Sequence, residues 1–139
     1  MNWVLYGLLS ATCAALVAIL GKVGIAHIDS TLATTVRAVI MAVFLVLTTL
    51  LLGKVPQLSS IDSRAIFYIA LSAIAGALSW LFYFYALKNG PVAGVVSLDR
   101  LSLVFAIILA AIFLGEKLSW TVAAGVVLMV GGALLIVTK

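Results

Sequence analysis

Five stretches of about twenty apolar residues follow one another along the chain, and that repetition constrains the fold more than any other feature. They run over residues 3–21, 32–52, 65–87, 92–114 and 119–138, with short polar punctuation between them. No soluble domain can hide so much apolar surface: 66% of residues are hydrophobic and 9% charged, against about 25% charged in an ordinary globular domain. The surrounding solvent is therefore a bilayer. In hydrocarbon the backbone must satisfy its own hydrogen bonds, which long uninterrupted runs achieve only as helices, and the ten-residue alternation of a membrane strand is absent. The expected fold is an all-α membrane protein with five transmembrane helices over residues 1–139, in an energy-coupled cell membrane (cytoplasmic or inner).

The connections agree with this division. Lys88-Asn89-Gly90-Pro91 stops one helix and starts the next within four residues, and predicts a tight hairpin. Leu114-Gly115 ends span four, and Ser119 offers a cap for span five. Only the loop from Gly53 to Arg64 has any length. The first span has no basic leader region and four more follow it, so it reads as a retained helix and not a signal peptide. Trp3, Tyr6 and Trp120 lie near span ends, where amphipathic rings prefer the headgroup layer.

Several function classes are excluded at this level. Cys13 is the only cysteine and His27 the only histidine, so neither a disulfide framework nor a metal site is expected. No phosphate-binding glycine loop, paired carboxylates or nucleophile with a base is found, so no catalytic residue, enzymatic activity or cofactor is expected. The net charge of +4 comes from loop lysines and arginines and not from a nucleic-acid-binding stripe.

Charge placement carries more information. With five spans, Lys54, Arg64 and Lys117 fall on the N-terminal side, and Lys22, Lys88 and Lys139 on the other, joined by Arg37 if its side chain reaches outward. The positive-inside rule then selects almost no orientation, which predicts insertion both ways and antiparallel pairing. Asp99 and Arg100 stand side by side within span four, and Arg37 within span two. Counted from the span starts on the same side, Arg37 and Asp99 lie about 8 and 11 Å deep at 1.5 Å per residue. Each charge costs on the order of 2.5–3.5 kcal/mol near a helix centre, while one ion pair returns about 4 kcal/mol at an effective dielectric near 20. Pairing Arg37 with Asp99 offsets one of the three charges, so the site is expected to reach water, backbone or a ligand as well.

Less apolar stripes at helical spacing extend the candidate site: Thr34, Arg37, Met41 and Thr48 on span two; Ser72, Gly76, Ser79 or Trp80, and Tyr83 on span three; Val95, Asp99, Ser102 and Ala106 on span four. With Lys22 at the end of span one, the expected substrate- or ion-binding residues are Asp99, Arg37, Arg100, Trp80, Tyr83 and Lys22. A purely structural ion pair and interfacial aromatic packing are the alternatives for the charges and for Trp80 with Tyr83. Small residues in span one (Gly7, Ala11, Ala15) and span five (Gly125, Gly131, Gly132) provide close-packing surfaces.

The segment YALKNGPVAGVVSLDRLSLVFAIILAAIFLGEKLSW, followed by Gly125 and Gly132, resembles the second half of an EamA domain of the drug/metabolite transporter superfamily. Its most specific part is VFAIILAAIFLGEKLS; spans one and two share only length, texture and the lysine near Gly21. The resemblance implies one EamA-type repeat, half of a ten-helix carrier that moves small metabolites or drug-like molecules by alternating access. A lone repeat would complete itself as an antiparallel homodimer in the bilayer, the inverted-repeat design of many transporters, with a heteromeric partner as the competing solution. In that mechanism Asp99 couples an ion or proton, or receives a cationic substrate group, with Arg37 as its alternating partner. Arg37 and Lys22 equally suit an anionic substrate, with Trp80 and Tyr83 as apolar wall. The other expectations are a non-transporting assembly or regulatory subunit, and a flippase of a lipid-linked substrate. Leu103 stands where the family pattern has proline, so the resemblance gives no ground for a kink in span four.

Overall fold

The computed structural model describes residues 2–138; Lys139, counted above among the basic residues, lies outside them. Among the described residues six α-helices form: α1 Asn2–Gly24, α2 Ser30–Leu51, α3 Ser63–Asn89, α4 Val92–Asp99, α5 Ser102–Phe113 and α6 Trp120–Val137. Among the described residues there is no strand, and five segments are long and apolar enough to cross a membrane, with α4 and α5 making up one of them. The chain is an all-α, multi-pass membrane protein.

Helix ends extend two or three residues past several apolar runs, as at α1, which continues to Gly24, and α3, which reaches Asn89. Hydropathy marks what lipid can cover, whereas the hydrogen-bond ladder continues until a cap stops it. At the start of α2 that cap is Asp29, whose carboxylate accepts the N–H groups of Thr31 at 2.9 Å and Leu32 at 3.0 Å. Gly53 ends the same helix: its φ of 62° is the left-handed value that glycine adopts without strain. Its N–H bonds Leu50 O while that of Lys54 bonds Thr49 O, the paired closure of a Schellman turn. The long loop that follows holds a short 3-10 turn, Val55–Ser60. Ser119 caps α6 by accepting from Val122 N–H at 3.3 Å, as its position in the sequence predicts. Pro91 caps α4 with φ −70° and ψ 139°.

Span four is not one continuous helix. Arg100 and Leu101 take φ/ψ near −67°/−14° and −64°/−16°, and the ladder tightens to three-residue spacing. Leu101 N–H bonds Leu98 O, Leu103 N–H bonds Arg100 O, and Val104 N–H bonds Leu101 O. The carbonyls of Ser97 and Asp99 thereby lose the donors that a continuous α-helix would supply. Neither proline nor glycine lies between Val95 and Leu114, so the absence of the family proline at Leu103 does not preserve a straight helix.

The chain separates into two compact units, residues 21–88 and residues 1–20 with 89–139. In the first, the last turn of α1 packs on α3: a Cβ at Gly21 would stand 3.3 Å from Phe84 Cζ. Phe84 and Leu87 are buried there. In the second, α4 packs on α6.

Candidate functional site

Within residues 21–88, a groove of about 520 Å³ runs between α2 and α3. Its α2 side carries Thr34, Arg37 and Met41, and its α3 side Gly76 and Trp80. These belong to the two less apolar stripes read from the sequence, now brought face to face. Thr48, Ser72, Ser79 and Tyr83 of those stripes do not line it. Alanines at 38, 42, 73 and 77 complete the walls; small side chains at helical spacing on both helices leave the volume open.

Trp80, Tyr83 and Phe84 occupy one face of α3 by their three- and four-residue spacing, and their rings pack together. Trp80 meets Tyr83 edge to face at 5.5 Å between centroids, and Phe84 at 5.7 Å. The Arg37 guanidinium carbon lies 3.6 Å from the Trp80 ring centroid and 5.5 Å from that of Phe84. A separation of 3.6 Å is contact distance, which places the guanidinium over the face of the indole. Stacking covers one planar face of the cation and leaves its N–H edge uncommitted. Among the described residues of this unit Arg37 has no ion-pair partner, and the Asp29 carboxylate is engaged by the amides that begin α2. The Thr34 and Thr35 hydroxyls donate to Ser30 O at 2.7 Å and Thr31 O at 2.9 Å. Their protons are spent on the helix, so the charged donor of the groove is Arg37, beside the single neutral indole N–H of Trp80.

Lys22 is placed differently from the groove residues. Its ammonium donates to Leu87 O and, at 3.4 Å, to Lys88 O. Cations at a helix C-terminus stabilise its exposed carbonyls, and Lys22 closes α3 in this way. Lys88 in turn reaches Ile28 O at 2.8 Å, tying the same helix end to the loop between α1 and α2.

Asp99 and Arg100 belong to the other unit, at the interruption of span four. Asp99 is half-buried and ends α4, with its carbonyl freed from the ladder. Arg100 borders a cavity of about 180 Å³ with Ser97, Leu101, Met129, Ala133 and Ile136, next to α6. The structure thus brings Arg37, Trp80 and Tyr83 together, assigns Lys22 to a helix end, and sets Asp99 and Arg100 at a helix break. Sequence reasoning missed Phe84, whose four-residue spacing from Trp80 was the available signal, and Asp29, a capping residue type just ahead of an apolar run. It missed the break altogether.

An interrupted membrane helix carrying an ionisable pair, together with a cation-bearing groove, belongs to the architecture of carriers. Comparison with known proteins gives the particular class: the EamA-like transporter family model matches residues 1–138, and the chain belongs to that family. It is 42% identical over 135 residues to an uncharacterized transporter from the cobO 3′ region of Sinorhizobium sp., covering 97% of this chain and 96% of that protein. No solved structure matches the chain. The protein is a multi-pass membrane transporter of the EamA-like family.

Proposed function

We propose that this chain is a half-size transporter subunit that pairs with an inverted second copy to move a small organic molecule by alternating access, driven by a proton or cation at Asp99. The observation that carries the coupling step is the break in span four. There a membrane-embedded carboxylate sits beside backbone carbonyls released from the helical ladder, the combination with which broken helices hold cations in carriers. A carboxylate that exchanges a proton or cation for a basic partner has two states of similar energy, as coupled transport requires. Arg37 is the proposed basic partner; Arg37 and Trp80 line the substrate groove, Tyr83 supports Trp80, Lys22 steadies the end of α3, and Arg100 faces the neighbouring helix.

Pairing is supported by surface and by charge. No more than 6% of any spanning window is buried, so each helix retains faces for another repeat. The Sinorhizobium relative is matched over 96% of its own length by this single repeat. The near balance of basic residues across the membrane removes the usual barrier to opposite insertion.

The test is Asp99→Asn in proteoliposomes. Gradient-driven uptake should fall to background while insertion and the assembled mass stay unchanged. Loss of the assembled species without a specific effect on flux would instead mark Asp99 as part of a structural ion pair in a non-transporting subunit.

A further inference from the structure

We infer that the groove between α2 and α3 binds a free organic anion, a small carboxylate on an apolar or aromatic body, with Arg37 as the anion-binding residue and Trp80 as the stacking platform. Three observations lead there. The groove wall is made of alanine, methionine, leucine and indole surface, so it accepts an apolar body and rejects a highly hydroxylated one. Its volume of about 520 Å³ falls in the range of small-molecule sites. Its one charged donor group is the fork of N–H groups on the guanidinium whose carbon lies 3.6 Å from the Trp80 ring centroid, beside a single neutral indole N–H. A fork of parallel N–H groups matches a carboxylate by two bonds at once, which neither a neutral hydroxyl nor an ammonium can do. Threonine hydroxyls that already donate to Ser30 O and Thr31 O add no donor for a neutral polar ligand.

Charge complementarity selects this occupant over an ordinary lipid tail. A guanidinium in a largely apolar groove is stabilised most by a ligand that brings one negative charge and no further polar group to desolvate. The inference rests on the transporter reading above, deepens it to a substrate class, and can fail separately from it.

The experiment uses Trp80 itself. The chain has three tryptophans, and Trp3 and Trp120 are 77% and 91% exposed, so Trp3→Phe with Trp120→Phe leaves Trp80 as sole reporter. In phosphatidylcholine nanodiscs, three quenchers of one shape and different charge are titrated: 4-nitrobenzoate, 4-nitrobenzyl alcohol and 4-nitrobenzylamine. Saturable quenching by the anion at least about tenfold tighter than by the other two is expected. Arg37→Gln should remove that preference, and Arg37→Lys should weaken the anion while keeping its sign. Because the charge series is measured on an intact groove, it decides the question even if Arg37→Gln does not fold. Equal saturation by the neutral or cationic quencher, or an anion preference that survives in Arg37→Gln, overturns the inference.

Two other occupants have their own outcomes. Quenching by the anion that disappears in phosphatidylglycerol nanodiscs assigns the groove to a lipid headgroup and overturns a free anion as its ligand. Quenching present with one chain per disc and lost with two assigns it to a second copy, with the same consequence. Labelled benzoate flux in proteoliposomes then separates the two claims. Arg37-dependent binding without flux supports the anion site and overturns its assignment to transported substrate; flux of other solutes without anion binding overturns the site alone.

Discussion

Asp29 shows how a single side chain outside the bilayer sets where a spanning helix begins. Its carboxylate is held below the ordinary aspartate range, chiefly by the Leu32 N–H, with the Thr31 N–H and the Lys88 charge adding and burial opposing. A depressed folded-state pKa means that the unfolded chain binds the proton more readily. The cap therefore stabilises α2 fully above the ordinary aspartate pKa and is lost as pH falls through the lower folded value. Asp29→Asn should keep the cap and remove this acid sensitivity, whereas Asp29→Ala should expose the Thr31 and Leu32 amides to fast hydrogen exchange at neutral pH. Unchanged protection in the alanine variant would exclude the cap as the start signal. At the same scale, Arg37 and Trp80 were both legible as candidates from polarity and spacing. Their stacking was not, because it depends on where α2 and α3 approach each other.

At the scale of elements, Gly21 brings the end of α1 against Phe84 of α3. An added methyl would meet Phe84 at 3.3 Å, a strain that the better helix propensity of alanine offsets. Gly21→Ala should be near neutral, and Gly21→Leu should cost about 1–3 kcal/mol by overpacking. Thermal unfolding in detergent checks both, and an unshifted midpoint for leucine would show that Phe84 yields freely. The break between α4 and α5 makes a separate prediction. The amides of Leu101, Leu103 and Val104, bonded at three-residue spacing, should exchange about tenfold or more faster than those in the middle of α2. Equal protection would indicate a continuous span. The apolar run over residues 92–114 gave no hint of this break, since hydropathy is indifferent to whether a carbonyl is bonded three or four residues ahead.

For the whole molecule the open face of every span matters most. With Cys13 replaced and a single cysteine at Gln57 in the exposed loop, an impermeant maleimide should label about half of the molecules in intact cells, the proportion that balanced basic residues imply. Labelling of all or none would require a partner of opposite orientation in place of a second copy. Number, length and helical nature of the spans were determined by the sequence alone. Each follows from local properties: the apolar length that matches a bilayer, and a backbone that in lipid must bond to itself. The capping signals at Gly115 and Ser119 were local in the same sense. Tertiary structure alone decided that Arg37 lies on Trp80, that Lys22 closes α3, and that alanines far apart in the chain open a groove between α2 and α3. These depend on which helix faces meet, and with lipid as apolar as the side chains, hydrophobicity does not choose the face; close packing and a few polar contacts do.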